Sequence, residues 1–143
     1  MADDSSSRFL IAAAALDAAA AALHVGCIAF GAPWYRFFGA GERMARLAAA
    51  GSWRPTLITS GIILALVVWT LYDLSGAGVI RRLPFLGPVL RVVAGVYLIR
   101  GVAGLPFLPF AAGRTATFWW WSSAVCLVVG AVHLAGIARV SNK

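Results

Sequence analysis

The chain has 143 residues, of which 62% are hydrophobic and 12% are charged, and its formal net charge is +7. A soluble domain is nearer half apolar and a quarter charged, so the composition excludes an ordinary soluble domain and predicts a membrane protein. The eleven arginines and one lysine are scattered over helix ends and loops. This scatter argues against a nucleic-acid partner and favours anionic lipid headgroups.

Four apolar stretches predict four membrane-spanning helices, since a span needs ~20 mostly apolar residues. The predicted spans are approximately residues 9–30, 56–74, 88–105 and 118–137. Together with their connections they use nearly the whole chain, so we expect one membrane domain over residues 1–143. The predicted fold class is an all-α integral membrane four-helix bundle with both termini on one side.

The first stretch is rich in alanine, and small residues let helices pack closely in lipid, which predicts a central helix. Asp17 lies in the middle of this stretch, where the core of a cleaved signal peptide would be uncharged. Asp17 and His24 are seven residues apart, so they share one face of the helix.

The connection over residues 31–55 mixes aromatic rings with arginines, which is typical of the headgroup region. It predicts an interfacial amphipathic segment that includes a short helix over residues 41–50, with an exposed ion pair between Glu42 and Arg46. Anchoring is the favoured role of this segment, and gating of a substrate is the alternative. The rings expected to anchor it are Trp34, Tyr35, Phe37, Phe38 and Trp53.

In the third stretch, Arg100 lies about twelve residues after Pro88, or ~18 Å along a helix, near the centre of a bilayer. Pro106 and Pro109 predict an irregular exit from this span. The fourth stretch carries His133 in its interior and opens with an aromatic belt. The belt comprises Trp119, Trp120 and Trp121.

Ionisable groups at membrane depth are costly and commonly mark a functional site. The predicted intramembrane polar cluster comprises Asp17, His24, Tyr97, Arg100 and His133. Counting the helical rise puts Asp17 and Arg100 at comparable depth, which predicts an ion pair between them. Three interpretations of the cluster stay open. They are a structural clasp, a relay for protons or a small solute through Asp17, His24 and His133, and a bound apolar cofactor or lipid.

A haem held by two histidines is disfavoured, because His24 would lie ~15 Å deeper than His133. Cys27 and Cys126 lack CxxC spacing and are expected to pack as small hydrophobic residues. The sequence also lacks the common catalytic motifs, so neither catalytic residues nor a metal site are predicted.

The segment Gly31–Arg43, with its Gly-Ala-Pro-Trp-Tyr-Arg-Phe-Phe-Gly-Ala-Gly-Glu-Arg sequence, and the later Ser52–Thr56 give the chain a resemblance to small bacterial four-helix inner-membrane proteins. Its overall plan is similar to the DoxX-like group. The resemblance implies a bacterial cytoplasmic-membrane location. It implies no particular reaction, and it transfers no functional residue to this chain.

These features predict a small polytopic membrane protein, either an accessory subunit or a small carrier, with enzymatic activity disfavoured. The alternative is a subunit of a membrane redox enzyme that binds a quinone or another apolar cofactor. A protein partner or a second copy of the chain is a further expectation. Termini in the cytoplasm are favoured by a basic-residue count of six against five. The six are Arg8, Arg81, Arg82, Arg91, Arg139 and Lys143, and the five are Arg36, Arg43, Arg46, Arg54 and Arg114.

Overall fold

The computed structural model of the chain describes residues 4–105 and 116–140, and the regular structure in these ranges is helical. In chain order the helices are α1 (Asp4–Phe30), α2 (Ala32–Phe37), α3 (Glu42–Ala49), α4 (Trp53–Gly76), α5 (Leu86–Ala103) and α6 (Ala116–Val140). Helices α1, α4, α5 and α6 contain stretches long and apolar enough to cross a membrane. The predicted all-α class with four apolar spans is therefore confirmed. Pro106 and Pro109 lie outside the described residues.

The long helices expose many large apolar side chains. Leu64, Val92, Ile99 and Val128 are each more than 60% exposed, in three different helices. A protein in water would bury such side chains, whereas hydrocarbon solvates them without cost. These exposed faces are those of a multi-pass membrane protein.

The chain divides into two compact units. Unit 1 comprises Met1–Asp17 and Val68–Lys143, and unit 2 comprises Ala18–Val67, so α1 and α4 contribute to both. The core of unit 1 is centred on Leu10, which is fully buried. Its neighbours in this core are Ala77, Leu86, Leu90, Ala94 and Ile137.

Two glycines in unit 1 make room for Leu10. A Cβ at Gly76 would lie 2.9 Å from Leu10 Cδ1, and a Cβ at Gly136 would lie 2.8 Å from Leu10 Cδ2. Carbon atoms pack at about 3.5–4.0 Å, so neither position accepts a side chain without movement. Leu10 therefore fixes the register of α1 against both α4 and α6.

Helices α5 and α6 interlock through a reciprocal pair of contacts. A Cβ at Gly101 would lie 2.7 Å from Leu127 Cγ, and a Cβ at Gly130 would lie 2.8 Å from Leu98 Cδ2. Each helix thus offers one glycine to a leucine of the other. Such small positions allow close backbone approach, which drives helix association in lipid.

Unit 2 is built around a core of Cys27, Tyr35 and Ala45. Gly31, at φ 69°, ends α1 and leads into α2. The short helix predicted over residues 41–50 is observed as α3. Glu42 pairs with Arg36, whose Nε and Nη2 donate at 3.0 and 2.9 Å, so the predicted partner Arg46 was wrong. A bidentate guanidinium from the preceding helix outcompetes the single contact that an i,i+4 neighbour offers.

The predicted anchoring rings differ in exposure. Phe37 and Trp53 are 83% and 68% exposed, whereas Tyr35 is buried and its hydroxyl lies 2.9 Å from Thr59 Oγ1. Trp34 is half-buried, with its ring against Gly26 and stacked on Phe30. Tyr35 and Trp34 therefore support unit 2 from inside. Phe38 is exposed, and in α6 so are Trp120 and Trp121.

Candidate functional site

Unit 1 buries two carboxylates and one imidazole together, a group we call the acid–imidazole cluster: Asp17, Asp73 and His133. All three residues have no exposed surface. His133 Nε2 lies 3.2 Å from Asp73 Oδ2 and 3.7 Å from Asp17 Oδ2. One oxygen or nitrogen from each residue can be chosen so that the three atoms lie within 4.8 Å of one another.

The packing of Leu10 against Gly76 and Gly136 explains why these three residues meet. Asp73 and His133 each stand three residues before the glycine that receives Leu10, and Asp17 stands seven residues after Leu10. At the α-helical rise, Asp73 and His133 each lie ~4.5 Å along the helix axis from their glycine, and Asp17 lies ~10.5 Å along the axis from Leu10. Side chains lean toward the start of their own helix, so Asp17 leans back toward Leu10 and the other two lean away from it. These opposite tilts close the remaining gap.

Two hydrogen bonds orient the cluster from outside. The Tyr97 hydroxyl donates to Asp17 Oδ1 at 2.5 Å, and His133 Nδ1 bonds the Val129 carbonyl at 2.8 Å. Because a carbonyl only accepts, Nδ1 donates to Val129 and Nε2 is the nitrogen that faces the carboxylates. Nε2 donates to Asp73 Oδ2, at 3.2 Å, when the ring carries both protons, and it offers a lone pair when the ring is neutral. The Tyr97 ring itself packs edge to face on Trp69 and is stacked on His133 with an angle of 29° between the ring planes.

The cluster leaves two carboxylate oxygens without a hydrogen bond. These are Asp17 Oδ2 and Asp73 Oδ1, both buried. Tyr97 donates to Asp17, and His133 lies against both carboxylates. Buried carboxylates are normally paired with cations or bound to metals. Two buried acceptor oxygens of the cluster thus have no donor among the residues that the structure describes.

Arg100 has other partners than the predicted one. Its Nη2 donates to Ser122 Oγ at 3.0 Å, and its Cζ lies 5.1 Å from the centroid of the Trp119 ring. The predicted Asp17–Arg100 ion pair was therefore wrong. Counting the helical rise fixes height along the membrane normal, but it does not fix direction around the helix axis. Tyr97, one turn earlier, takes the place that was assigned to Arg100.

A second polar group surrounds Arg100. Arg100 Nη1 and Ser123 Oγ are buried without a hydrogen-bond partner. Both lie against Gly104, where a Cβ would collide with them. We call Arg100, Ser122, Ser123 and Gly104 the Arg100 group. Within residues 4–105 and 116–140, no hydrogen-bond partner satisfies Arg100 Nη1 or Ser123 Oγ.

The remaining predicted site residue, His24, belongs to unit 2. Its Nδ1 donates to the Ala20 carbonyl of its own helix at 2.7 Å. Cys27 is buried and Cys126 is half-buried, and both are free thiols, as expected for packing residues.

Asp73 was missed as a site residue because it stands one residue before the end of the predicted span over residues 56–74, where an acidic group is expected to reach water. The structure buries this end of α4 instead: Ser75, Gly76 and Ala77 are buried, and Ser7 Oγ donates to the Ala77 carbonyl at 2.8 Å. The sequence contains one usable signal. Asp73 and His133 have identical spacing to a following glycine, Asp-x-x-Gly and His-x-x-Gly.

No protein-family model matches the chain, and neither a curated protein nor a solved structure matches it. Its function is therefore inferred from the geometry of unit 1.

Proposed function

We propose that the chain is a small polytopic membrane protein, an accessory subunit or small carrier, whose function resides in the acid–imidazole cluster. The supporting observation is a pair of buried oxygens that have no hydrogen-bond partner, Asp17 Oδ2 and Asp73 Oδ1. A cluster that only locked helices together would satisfy its own acceptors, because each unpaired buried group costs about 1–3 kcal/mol. Unpaired acceptors of this kind fit a centre that binds a cationic solute.

A structural clasp and a binding centre respond in opposite ways to neutralisation. Removing one member of a clasp strands the other and costs about 3–5 kcal/mol. In a binding centre, close-set carboxylates oppose each other until the solute arrives, and neutralising one relieves that repulsion. Asparagine suits this comparison, since its amide can donate to His133 Nε2 without adding charge.

The experiment measures the thermal stability of the detergent-solubilised Asp17→Asn and Asp73→Asn variants in the presence of a chelator. We expect each melting temperature to equal or exceed that of the wild type. His24→Gln, which alters a histidine bonded to its own helix, serves as the matched control. A loss of about 3–5 kcal/mol in both aspartate variants would establish a clasp and overturn the proposal.

We also propose a bacterial cytoplasmic membrane as the location, with cytoplasmic termini and a relationship to the DoxX-like group. The support is the resemblance in Gly31–Arg43 and the small excess of basic residues on the terminal side. Of the residues counted, Arg114, Lys143 and the Arg139 side chain lie outside the described residues. A carboxyl-terminal phosphatase fusion active only in the periplasm would overturn this orientation.

The Arg100 group favours a second candidate function, a subunit that binds a quinone or a similar apolar cofactor. Arg100 Nη1 and Ser123 Oγ are donors suited to the carbonyl oxygen of such a head group. Mass spectrometry of lipid extracts from purified protein is the test. We expect a quinone from the wild type and from His24→Gln, and none from Arg100→Gln. A wild-type extract without a bound quinone would contradict this candidate.

A further inference from the structure

We infer that Asp17, Asp73 and His133 bind a divalent first-row transition-metal cation, and that Tyr97 acts as a positioning residue for it. This inference rests on the proposed function, because it names the cation that the acid–imidazole cluster takes. It also revises the expectation from the sequence that the chain has no metal site.

The separations between the candidate ligand atoms match those around a metal ion. Oxygen and nitrogen ligands lie about 2.0–2.2 Å from zinc, which puts neighbouring ligand atoms ~3.4 Å apart at a tetrahedral angle. His133 Nε2 is 3.2 Å from Asp73 Oδ2 and 3.7 Å from Asp17 Oδ2, on either side of that value.

Independent support comes from the atoms that face away from the ligand positions. Metal-binding histidines usually donate their other N–H to a carbonyl or carboxylate, and metal-binding carboxylates are held by further hydrogen bonds. His133 Nδ1 bonds the Val129 carbonyl, and Asp17 Oδ1 accepts from Tyr97. Asp17 Oδ2, a candidate ligand atom, and Asp73 Oδ1, the second oxygen of the Asp73 carboxylate, are in contrast buried without a hydrogen-bond partner. The outer atoms of His133 and Asp17 are thus satisfied, and each carboxylate keeps one oxygen without a hydrogen bond that a cation can take.

The ligand set defines the class of cation. Two carboxylates and one imidazole suit manganese, iron, cobalt or zinc in the divalent state, whereas magnesium and calcium prefer oxygen ligands alone. A charge of two also balances the two buried carboxylates. Three protein ligands leave at least one coordination position for water or a small ligand, as in exchangeable and catalytic sites. That open position suits a carrier or an accessory subunit better than a permanently closed structural site.

The experiment is titration of purified, chelator-treated full-length protein in detergent with Co²⁺, after removal of any histidine tag, followed by visible absorption. We expect one Co²⁺ per chain, displaced by Zn²⁺ and unaffected by excess Mg²⁺. Asp73→Asn and His133→Gln should each weaken binding at least 100-fold. Tyr97→Phe should weaken binding by about 10–100-fold, the usual effect of losing an outer hydrogen bond. His24→Gln should bind as the wild type does.

Several outcomes would overturn the inference. They are a wild-type protein that binds no Co²⁺, equal displacement by Mg²⁺, or a loss in His24→Gln as large as that in His133→Gln. The proposed function is tested separately, since its stability measurement contains no metal. Stable asparagine variants together with a wild type that binds no Co²⁺ would overturn the metal inference alone. Unstable asparagine variants would overturn the proposed function.

Discussion

At the scale of single residues, Tyr97 carries the most information about the acid–imidazole cluster. Its hydroxyl is the donor to Asp17 Oδ1, and the centroid of its ring lies 5.4 Å from that of Trp69 and 5.4 Å from that of His133. The ring packing holds the hydroxyl in place without help from the carboxylate. Removal of the oxygen should therefore leave the ring where it is and take away one hydrogen bond.

We predict that Tyr97→Phe lowers the free energy of unfolding in the presence of a chelator by about 1–3 kcal/mol, because Asp17 then has a further buried oxygen without a donor. Tyr72→Phe is the matched control. The Tyr72 hydroxyl donates to the Pro84 carbonyl at an exposed position, so its loss should cost no more than ~0.5 kcal/mol. Reversible thermal unfolding in detergent measures both. Equal losses in the two variants would contradict the account of Tyr97.

Residue identities at the site were only partly predictable. The sequence identifies Asp17, Tyr97 and His133 because each stands inside an apolar stretch at a similar counted depth. It fails for Arg100, whose direction around α5 decides that Ser122 and not Asp17 is its partner. It also fails for Asp73, since burial of the end of α4 depends on contacts with residues far away in the chain. Helical rise can be counted from a sequence, but packing around the helix axis cannot.

At the scale of elements, the contact between α5 and α6 depends on glycines that face leucines. Gly101 and Gly130 each receive a leucine of the other helix, and a Cβ at Gly101 would also lie 3.1 Å from the Leu127 backbone nitrogen. A backbone atom cannot rotate away as a side chain can. The two helices would have to separate to admit even one methyl group.

We predict that Gly101→Ala destabilises the protein by about 1–3 kcal/mol through this overpacking. Gly95→Ala, in the same helix, is the control, because no atom lies within 4 Å of its Cβ position. That substitution should be neutral or stabilising by up to ~1 kcal/mol, since alanine favours helix more than glycine does. Thermal unfolding of both variants measures the two changes in stability. A Gly101→Ala variant as stable as the wild type would mean that α5 and α6 are not in close contact.

The pair of short helices α2 and α3 should respond to acid. The hydrogen bond from Arg36 holds the pKa of the Glu42 carboxyl below its ordinary value. A lowered folded-state pKa means that the stabilisation is fully present above the ordinary pKa and is lost as the pH falls through the lowered one. Amide exchange in α2 and α3, followed by NMR, should therefore accelerate on acidification below the ordinary glutamate range, beyond the intrinsic pH effect. Glu42→Gln should remove that pH dependence, and an unchanged profile in this variant would assign the effect to another group.

The helices themselves were the most predictable part of the chain. Their apolar length is sufficient to indicate four spans, and the structure extends α1 back to Asp4 and α4 back to Trp53. The interfacial segment was harder. From the sequence, Tyr35 is expected to be an interfacial ring like Phe37. In the structure its hydroxyl hydrogen-bonds with Thr59, which lies 24 residues later in the chain. A partner at that distance leaves no local pattern in the sequence.

At the scale of the whole molecule, exposed tryptophans report how the chain meets a bilayer. Trp53 begins α4 and is 68% exposed, and Trp121 lies near the start of α6 and is 74% exposed. Tryptophan favours the interface between headgroups and acyl chains. Trp69, in contrast, is half-buried and packs against Tyr97.

We predict that single-tryptophan variants retaining Trp53 or Trp121 are quenched strongly by phospholipids brominated near the headgroup and weakly by those brominated near the acyl terminus. The variant retaining Trp69 should be quenched less than either by the shallow label, because protein surrounds part of its ring. Steady-state fluorescence in proteoliposomes measures all three. Equal shallow quenching of Trp69 and Trp121 would contradict the assignment of Trp53 and Trp121 to the interface.

The hydrogen bond between Arg100 and Ser122 lies within the hairpin of α5 and α6, as do the two glycine–leucine contacts. This hairpin can therefore enter the bilayer during synthesis with its arginine already partnered. Asp17 has no partner when its helix is synthesised, because Tyr97, Asp73 and His133 are all translated after it. Its carboxylate therefore stays at the translocon or in a hydrated intermediate until α6 has been synthesised. Truncation before α6 should consequently leave a nascent chain that quality-control proteases recognise, whereas the hairpin alone should persist.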